Sequence, residues 1–262
     1  ILITLGDDDI GNQILKRLEA EKVDLTYSFQ QKETRSNYSI VINYQGERTI
    51  FVYHAPRSYE YPVQLTPTPW VYLTSIGENF EPFYNHMAEF FKKNPETKVA
   101  FNPGSWQIRA GVEKIKNILA LTHILFVNKQ EAEKITGIKP EENNLKELLT
   151  GLSKLGPKIS IITDGENGSY AYDSTRTEKQ FLKVGILPVN AFERTGAGDA
   201  FGSGCLSALI KGKPLEEALL WGLSNSASVI GYSGPQKGLL HDSEMPAWLD
   251  RARSSNVKTE EF

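Results

Sequence analysis

The chain has 262 residues, enough for one well-packed α/β domain with a small appendage but crowded for two full domains. Apolar residues make up 40% and charged residues 23%, as in ordinary globular proteins, and the net charge of −3 gives no electrostatic reason to expect nucleic acid or a membrane surface as a partner. No apolar stretch approaches the roughly 18 residues of a membrane span. The single cysteine, Cys205, excludes an internal disulfide and favours a reducing compartment, so we expect a cytoplasmic protein.

The N-terminal part predicts a helix followed by a block of strands. The sequence begins with Ile1 rather than Met and as if inside a strand, so we expect that upstream residues are missing. Apolar residues at helical spacing predict a helix over residues 10–20. The period then changes to that of strands at residues 23–27, 38–42 and 49–53, and Gln45-Gly46-Glu47 provides a hairpin turn between the last two. A proline-rich connector follows at residues 56–69.

From Trp70 onward strands and helices alternate. This alternation predicts a mostly parallel sheet covered on both faces, with ligands at the C-terminal ends of the strands. We expect the polar tail after Arg251 to be frayed. The predicted strands are residues 71–73, 99–101, 124–127 and 159–162, and the predicted helices are residues 82–91, 108–119, 130–135, 145–155, 198–210 and 215–230.

The most informative run lies late in the chain, where Gly196-Ala197-Gly198-Asp199 precedes an apolar helical pattern. Small residues let a ligand approach the main chain, and free N–H groups at the start of a helix attract anions. A carboxylate would repel a phosphate. We therefore interpret Asp199 as the group that contacts a neutral hydroxyl next to the bound phosphate. Together these features suffice to move a phosphoryl group onto an alcohol. A flexible entry to a helix, with Asp199 favourable against the helix dipole, is the plainer alternative.

A second motif, Asn128-Lys129-Gln130-Glu131, follows a predicted strand and opens a helix. Asn at the N-cap with Glu three residues later is the pattern of a capping box, so a purely structural role is one interpretation. An amide and a carboxylate at the end of a strand could equally hold a hydrated Mg²⁺ beside phosphates. The residues alone leave both interpretations open.

A third motif, Thr163-Asp164-Gly165-Glu166-Asn167-Gly168, also follows a predicted strand. Its Asp-Gly-type and Asn-Gly pairs favour a hairpin turn. We interpret the motif as such a turn that also forms one wall of a nucleotide pocket. The four histidines of the chain show no spacing typical of metal ligands.

These motifs, in this order, resemble the ribokinase-like family, also called PfkB carbohydrate kinases. Gly6-Asp7-Asp8-Asp9-Ile10-Gly11 is similar to the early Gly-x-Asp-x-x-Gly turn of that family, and Gly46-Glu47-Arg48-Thr49 to its lid hairpin. Asn102-Pro103 stands where members carry a similar pair, Asn128 to Glu131 matches the Asn-x-x-Glu motif, and Gly196 to Asp199 matches the Gly-Ala-Gly-Asp signature. The resemblance covers essentially the whole chain. It implies a three-layer α/β fold with a small β-sheet lid.

The resemblance also implies roles for single residues. Asp199 would be the catalytic base that takes the proton of a substrate hydroxyl. The main-chain N–H groups of Gly196, Ala197 and Gly198 would form an anion hole for the γ-phosphate of ATP. Asn128 and Glu131 would organise Mg²⁺ and its waters. The residues that would border the nucleotide are Thr163, Gly165 and Gly168 beside the ATP and Asn225 near the adenine.

The family pattern predicts how the chain is organised. Residues 1–22 and 57–262 would form the nucleotide-binding core, and residues 23–56 the lid that closes over the sugar and could join a second subunit in a homodimer. The family's first strand and its substrate-contacting Asp have no counterpart in the given sequence. If the protein itself lacks them, the acceptor pocket would be incomplete. Some members also use a monovalent cation such as K⁺, although Glu193-Arg194 stands where many of them have Asp-Thr.

We therefore expect an ATP-dependent kinase that phosphorylates a hydroxyl of a small sugar. A nucleoside kinase of the adenosine type is the alternative within the same fold. A catalytically degenerate protein that binds nucleotide or sugar is an alternative of another class. A nicotinamide-dependent oxidoreductase is disfavoured, because a properly placed Gly-x-Gly-x-x-Gly run is absent from the sequence.

Overall fold

The computed structural model describes residues 1–44, 47–62, 64–139 and 144–262. These residues form two compact units. One unit contains Ile1–Thr66 and Ile76–Met87, and the other contains Pro67–Ser75 and Ala88–Phe262. Within the described ranges, no helix is both long and apolar enough to cross a membrane.

The first unit contains two small sheets. Strand β1 (Leu2–Gly6) pairs in parallel with β2 (Tyr27–Gln31), and helix α1 (Asp9–Ala20) connects them. Strands β3 (Tyr38–Tyr44) and β4 (Glu47–Tyr53) form an antiparallel hairpin. The predicted turn of this hairpin, at Gln45 and Gly46, lies outside the described residues. The boundaries of the lid at residues 23 and 56 stay a prediction.

The carboxylate of Asp8 fixes the junction between β1 and α1. Its Oδ1 atom accepts a hydrogen bond from Gly11 N at 2.9 Å and therefore caps the helix. The same side chain accepts hydrogen bonds from the main-chain N and the hydroxyl of Ser36 at 2.9 and 2.7 Å. The early Gly-x-Asp turn thus joins two segments distant in sequence, and these hydrogen bonds lower the pKa of Asp8.

The second unit is built on one mixed sheet, with strand order β11-β10-β9-β8-β7-β6-β5 in the described part of the chain. Neighbouring strands from β5 to β8 are parallel, whereas β9, β10 and β11 are added antiparallel. The sheet is therefore mixed rather than uniformly parallel, and its parallel strands end at one common edge. The strands are β5 (Trp70–Leu73), β6 (Lys98–Phe101), β7 (Ile124–Asn128), β8 (Ile159–Thr163), β9 (Ser169–Asp173), β10 (Phe181–Val184) and β11 (Thr259–Glu261).

Helices cover both faces of this sheet. Ile159 and Ile161 of β8 join one buried cluster with Phe201, whereas Ile162, which points to the other face, is also fully buried. After α1, the helices are α2 (Glu81–Lys93), α3 (Ser105–Ala110), α4 (Val112–Leu119), α5 (Lys129–Thr136), α6 (Leu145–Lys154), α7 (Ala197–Ile210), α8 (Leu215–Val229) and α9 (Met245–Ser254).

Helices α7 and α8 pack closely against each other because each presents a glycine at the contact. A Cβ atom at Gly204 would lie 2.9 Å from the carbonyl oxygen of Trp221, and one at Gly222 would lie 2.8 Å from that of Phe201. Both distances are too short for a side chain, so a larger residue would push the two helices apart. This packing holds the beginning of α7 in place.

The predicted strand at residues 23–27 and the predicted single helix at residues 108–119 are both wrong. Asp24 Oδ1 accepts hydrogen bonds from the main-chain N and the hydroxyl of Thr26, and this local turn delays the strand until Tyr27. In the second segment, Gly111 adopts a φ of 95° and separates α3 from α4.

The prediction of a frayed tail after Arg251 is also wrong. Helix α9 continues to Ser254, and β11 then pairs with β10 at the edge of the sheet. The Phe262 ring packs edge to face against Tyr170 and Phe181, with ring centroids 5.2 and 5.9 Å apart. The packing of Phe262 therefore stabilises the end of the chain, although the residues of β11 itself are polar.

Candidate active site

A cavity of about 360 Å³ opens in the second unit, where the parallel strands end and α7 begins. Its size suits a small organic ligand. It is lined by seven of the residues singled out in the sequence: Asn128, Glu131, Thr163, Gly196, Ala197, Gly198 and Asp199. The three motifs, which are up to 71 residues apart in the chain (199 − 128), therefore meet in one place.

The backbone at the start of α7 requires glycine. Gly196 caps the helix with a φ of 80°, and a Cβ atom there would lie 2.8 Å from the Cα of Pro235. A Cβ atom at Gly198 would meet no atom within 4 Å, so this side of the helix end is open. Gly196 is thus required by the fold, whereas the absence of a side chain at Gly198 leaves room for a ligand.

The first N–H groups of α7 are partly available to a ligand. Ala197 N donates to the carbonyl oxygen of Arg194 at 3.3 Å, and Ala200 N donates to that of Gly196 at 2.8 Å. For the N–H groups of Gly198 and Asp199, no acceptor is found among the described residues. Unpaired N–H groups at the positive end of a helix dipole form an anion site.

The carboxylate of Asp199 stands beside these N–H groups in the first turn of α7. It stays accessible to solvent through the cavity, while the surrounding protein partly desolvates it and raises its pKa. Burial and the nearby Asp199 carboxylate raise the pKa of the Tyr72 hydroxyl. A carboxylate with a raised pKa is a stronger base, as a group that accepts a proton from an alcohol must be.

Asn128 and Glu131 form the capping box that their spacing predicts. Asn128 N donates to Glu131 Oε2, and Glu131 N donates to Asn128 Oδ1, both at 2.9 Å. Thr163 is the register partner of Asn128 on the neighbouring strand, so all three residues lie at the same edge of the sheet. Burial raises the pKa of the Glu131 carboxyl, and the negative charge of Asp199 adds to this effect. The hydrogen bond from Asn128 N acts in the opposite direction.

The lining of the cavity has an unbalanced charge. Its ionisable side chains are two carboxylates, Glu131 and Asp199, and one cation, Arg194. A nucleoside triphosphate would meet net repulsion here unless a divalent cation entered with it. Among the described residues, no group of three or more His, Cys, Asp or Glu could hold a metal ion alone. These residues fit Mg²⁺, which keeps several waters and needs only one or two carboxylates together with substrate phosphates.

Arg194 borders the cavity without being fixed in it. Its guanidinium pairs with Glu166, and both side chains are more than 70% exposed. An exposed pair of this kind contributes at most about 1 kcal/mol, so it can be exchanged for a phosphate at little cost. Beside it, the Glu193 carboxylate accepts hydrogen bonds from the Thr195 hydroxyl at 2.5 Å and from Gly234 N at 3.0 Å.

Three predicted nucleotide residues do not line this cavity: Gly165, Gly168 and Asn225. Gly165 and Gly168 belong to the turn between β8 and β9, as the hairpin prediction required. Asn225 is buried in α8, where Nδ2 donates to Ala200 O at 2.8 Å and Oδ1 accepts from Leu240 N at 2.9 Å. Its amide therefore joins α8 to the first turn of α7.

The cavity also contains residues to which the motif patterns gave no role. Ser75 follows β5, and Asn102 and Ser105 follow β6, all at the same edge of the sheet. Asn102 Nδ2 donates to the carbonyl oxygen of Phe126 at 2.8 Å and so ties the ends of β6 and β7 together. The sequence offered one signal for these residues: they lie directly after predicted strands, and ligands of such sheets bind at the strand ends.

An α/β sheet with an anion-binding helix N-terminus and carboxylates at its strand ends is typical of enzymes that transfer phosphoryl groups. The sequence matches the pfkB family of carbohydrate kinases over residues 1–242. The chain therefore belongs to that family and is a kinase with a ribokinase-like fold.

Individual relatives agree with this assignment. An ATP-dependent 6-phosphofructokinase of Thermoanaerobacterium thermosaccharolyticum is 28% identical over 245 residues, which cover 89% of this chain and 74% of the relative. A nucleoside kinase of Methanocaldococcus jannaschii is 27% identical, over 89% of this chain and 70% of the relative. Arabidopsis thaliana ribokinase, complexed with ribose and ATP, has a TM-score of 0.79 at 19% identity, over 95% of this chain and 80% of that one. The similarity to this ribokinase shows a shared fold only.

Proposed function

We propose that this protein transfers the γ-phosphoryl group of ATP to a hydroxyl of a small sugar at the Asp199 cavity. One observation carries the proposal: the open N-terminus of α7 and the Asp199 carboxylate line the same 360 Å³ cavity. The first can hold the terminal phosphate, and the second can accept the proton of the attacking alcohol.

Asp199 acts on the acceptor. Its carboxylate accepts a hydrogen bond from the alcohol, orients the oxygen toward the phosphorus and takes the proton as the new P–O bond forms. Its raised pKa favours that transfer. The bond from phosphorus to the leaving oxygen of ADP breaks in the same step, so the products are ADP and the sugar phosphate.

The donor is held by the main chain and by Arg194. The N–H groups of Gly198 and Asp199 would donate to the equatorial oxygens of the γ-phosphate, and that of Gly196 would complete the cradle together with that of Ala197, which would give up its long hydrogen bond to Arg194 O. Arg194 leaves Glu166 and neutralises charge on the phosphates. Thr163 borders the nucleotide from the end of β8. Gly165 and Gly168 would border the nucleotide from the turn between β8 and β9. Asn225, whose amide is bonded to Ala200 O and Leu240 N, would act on the nucleotide by holding the start of α7 in place.

Glu131 and Asn128 would organise Mg²⁺ through its waters. Bound Mg²⁺ would neutralise phosphate charge. The capping box fixes both side chains on the edge of the sheet, with one oxygen of each already accepting a main-chain hydrogen bond. We propose no requirement for K⁺, because both carboxylate oxygens of Glu193 already accept hydrogen bonds.

A nucleoside is the second candidate acceptor, since the nucleoside kinase relative is 27% identical to this chain and the 6-phosphofructokinase relative 28%, each over 89% of it. The test is a coupled assay of ADP release with Mg²⁺ and ATP over pentoses, hexoses, sugar acids and nucleosides. Turnover with one acceptor class identifies the substrate. A protein that binds ATP but releases no ADP with any of them would instead be the degenerate binding protein.

We also propose that the β3–β4 hairpin joins two copies of the chain in the cytoplasm, where ATP is available. Both faces of the hairpin are apolar and exposed: Ile40 and Phe51 on one face are 55% and 58% exposed, and Val52 on the other is 52% exposed. Exposed apolar patches of this kind mark association surfaces. Sedimentation should show a dimer that Phe51→Ser converts to monomer. A wild-type protein that is monomeric at assay concentration contradicts this proposal.

A further inference from the structure

The turn between β8 and β9 connects to the lining of the Asp199 cavity at two points. Thr163, the last residue of β8, lines the cavity, and Glu166 in the turn pairs with Arg194, which lines it as well. A Cβ atom at Gly165 would meet no atom within 4 Å, so one side of the turn is open. A ligand that extends from the cavity past Thr163 would therefore reach this turn.

The turn depends on contacts from outside for its rigidity. It contains a single turn of 3₁₀ helix, Gly165–Asn167, whose three residues are exposed. Hydrogen-bond geometry in such a helix is poor, so its own main chain holds it weakly. The Tyr170 hydroxyl donates to the carbonyl oxygen of Asn167 at 2.9 Å and thereby ties the last residue of the 3₁₀ helix to strand β9.

The ring of Tyr170 is itself fixed by aromatic packing. It contacts Phe262 edge to face, with ring centroids 5.2 Å apart, and Phe262 contacts Phe181 in the same way at 5.9 Å. Lys146 Nζ of α6 lies 5.0 and 5.5 Å from the ring centroids of Phe181 and Phe262, within the range of cation–π attraction. A different rotamer of Tyr170 would lose this packing together with the hydrogen bond, so the contacts support each other.

We propose that Tyr170 is a positioning residue for the nucleotide: its hydroxyl, with the ring held by Phe262, keeps the turn at residues 165–167 in the shape that borders ATP. The inference rests on the proposed function for the location of the nucleotide. Tyr170 is not part of the cavity lining and acts through the main chain of Asn167. A turn that is already ordered binds a ligand more tightly, because less conformational freedom is lost on binding.

Equilibrium binding of ADP with Mg²⁺ to the full chain, measured by calorimetry, tests this role. Tyr170→Phe keeps the ring but removes the hydroxyl, so the Kd for ADP should rise about three- to tenfold, as expected for the loss of one neutral hydrogen bond. Tyr172→Phe is the matched control. Tyr172 lies on the same face of β9 and its ring packs against Phe181 at 4.7 Å, but its hydroxyl has no hydrogen-bond partner in the described part of the chain. The control should bind ADP as the wild type does.

Steady-state kinetics with the preferred acceptor separate positioning from a general loss of stability. Positioning predicts that Tyr170→Phe raises the KM for ATP by about the factor seen in the Kd for ADP, with kcat and the KM for the acceptor unchanged. A merely structural role would instead lower the fraction of folded enzyme, and so lower kcat at an unchanged KM for ATP. The latter result contradicts the inference.

Phe262→Ala tests the aromatic support and should weaken ADP binding in the same direction. If this variant does not fold, Tyr170→Phe decides alone. The inference is overturned if the wild type does not bind ADP, if a folded variant of Tyr170 or Phe262 binds ADP as tightly as the wild type, or if Tyr172→Phe weakens binding as much as Tyr170→Phe. A wild type that binds ADP but phosphorylates no acceptor contradicts the proposed kinase function instead, and the Kd values still decide the role of Tyr170.

Discussion

The two cavities of this protein have opposite charge and different origins in the sequence. The Asp199 cavity contains two carboxylates and one exposed arginine, whereas a second cavity, of about 400 Å³ in the first unit, is lined by the buried Arg57 and, among its described lining residues, by no acid. The first therefore accepts phosphates only together with a cation. The sign of the charge in the wall, more than the volume, distinguishes what each cavity can bind.

The largest expected effect comes from removing the charge of Asp199. Asp199→Asn keeps the shape of the side chain but cannot accept the alcohol proton, so kcat should fall about 10²–10⁴-fold with little change in ATP affinity. Steady-state kinetics and ATP binding are measured on the same protein. Asp9→Asn is the control, because Asp9 is an exposed Asp in the first turn of α1. Normal turnover in Asp199→Asn would remove the assignment.

A smaller effect should follow from neutralising the second carboxylate. Glu131→Gln preserves the hydrogen bond from Asn128 N but removes charge next to the proposed Mg²⁺, so half-maximal activity should need about 10–100-fold more Mg²⁺. Glu133→Gln, on the same helix but outside the cavity lining, should need no more Mg²⁺ than the wild type. A Mg²⁺ requirement unchanged by Glu131→Gln would mean that the motif serves only as a capping box.

Arg194 provides the opposite charge in the same cavity. Arg194→Met should lower kcat/KM for ATP about tenfold, because one charge-assisted hydrogen bond to phosphate is lost. Arg253→Met is the matched control, since Arg253 is equally exposed and also paired with a carboxylate, that of Asp250. Equal kinetics in the two variants would show that Arg194 stays with Glu166 during the reaction.

Keeping the Asp199 carboxylate ionised in the folded protein should lower the stability of that protein, and this effect should be measurable as a change in Tm. Its pKa is raised in the folded protein, so the folded state binds the proton more tightly than the unfolded state. The stability associated with this group is therefore greatest below the usual carboxyl range and is lost as the pH rises through the raised value. Asp199→Asn should have a slightly higher Tm than the wild type at pH 7, with the difference disappearing in acid. A lower Tm at pH 7 contradicts the sign.

The smallest effect concerns monovalent cations. Replacing K⁺ by Na⁺ at constant ionic strength should change kcat less than about twofold, because each oxygen of the Glu193 carboxylate already accepts a hydrogen bond, one from Thr195 and one from Gly234. The assay uses the preferred acceptor at saturating ATP. A strong dependence on K⁺ would show that the ion competes successfully with these hydrogen bonds.

The sequence predicted those features that local patterns determine. Residues that follow buried parallel strands meet at one edge of a sheet, and for this reason Asn128 and Thr163 could be placed together from the sequence. The start of α7 does not follow a parallel strand, and the family resemblance placed it beside them. The αL conformation of Gly196 and the capping box of Asn128 are likewise local. These are the parts of the site for which residue type and spacing are sufficient.

Features that depend on distant contacts were not predictable in this way. Strand β11 is polar, and it forms because β10 offers a free edge and Phe262 finds two aromatic rings. Arg57 lies in a proline-rich connector that has no regular pattern, and its burial follows from the packing of segments around it. The cavity beside Arg57 therefore had no signature in the sequence.

The most direct test of the central claim is a crystal structure of the protein with ADP, Mg²⁺, aluminium fluoride and the preferred acceptor. We predict that the fluoride complex accepts hydrogen bonds from the N–H groups of Gly198 and Asp199, with the Asp199 carboxylate in contact with the acceptor hydroxyl. An anion bound away from the beginning of α7, or an Asp199 side chain directed away from the acceptor, would contradict the account.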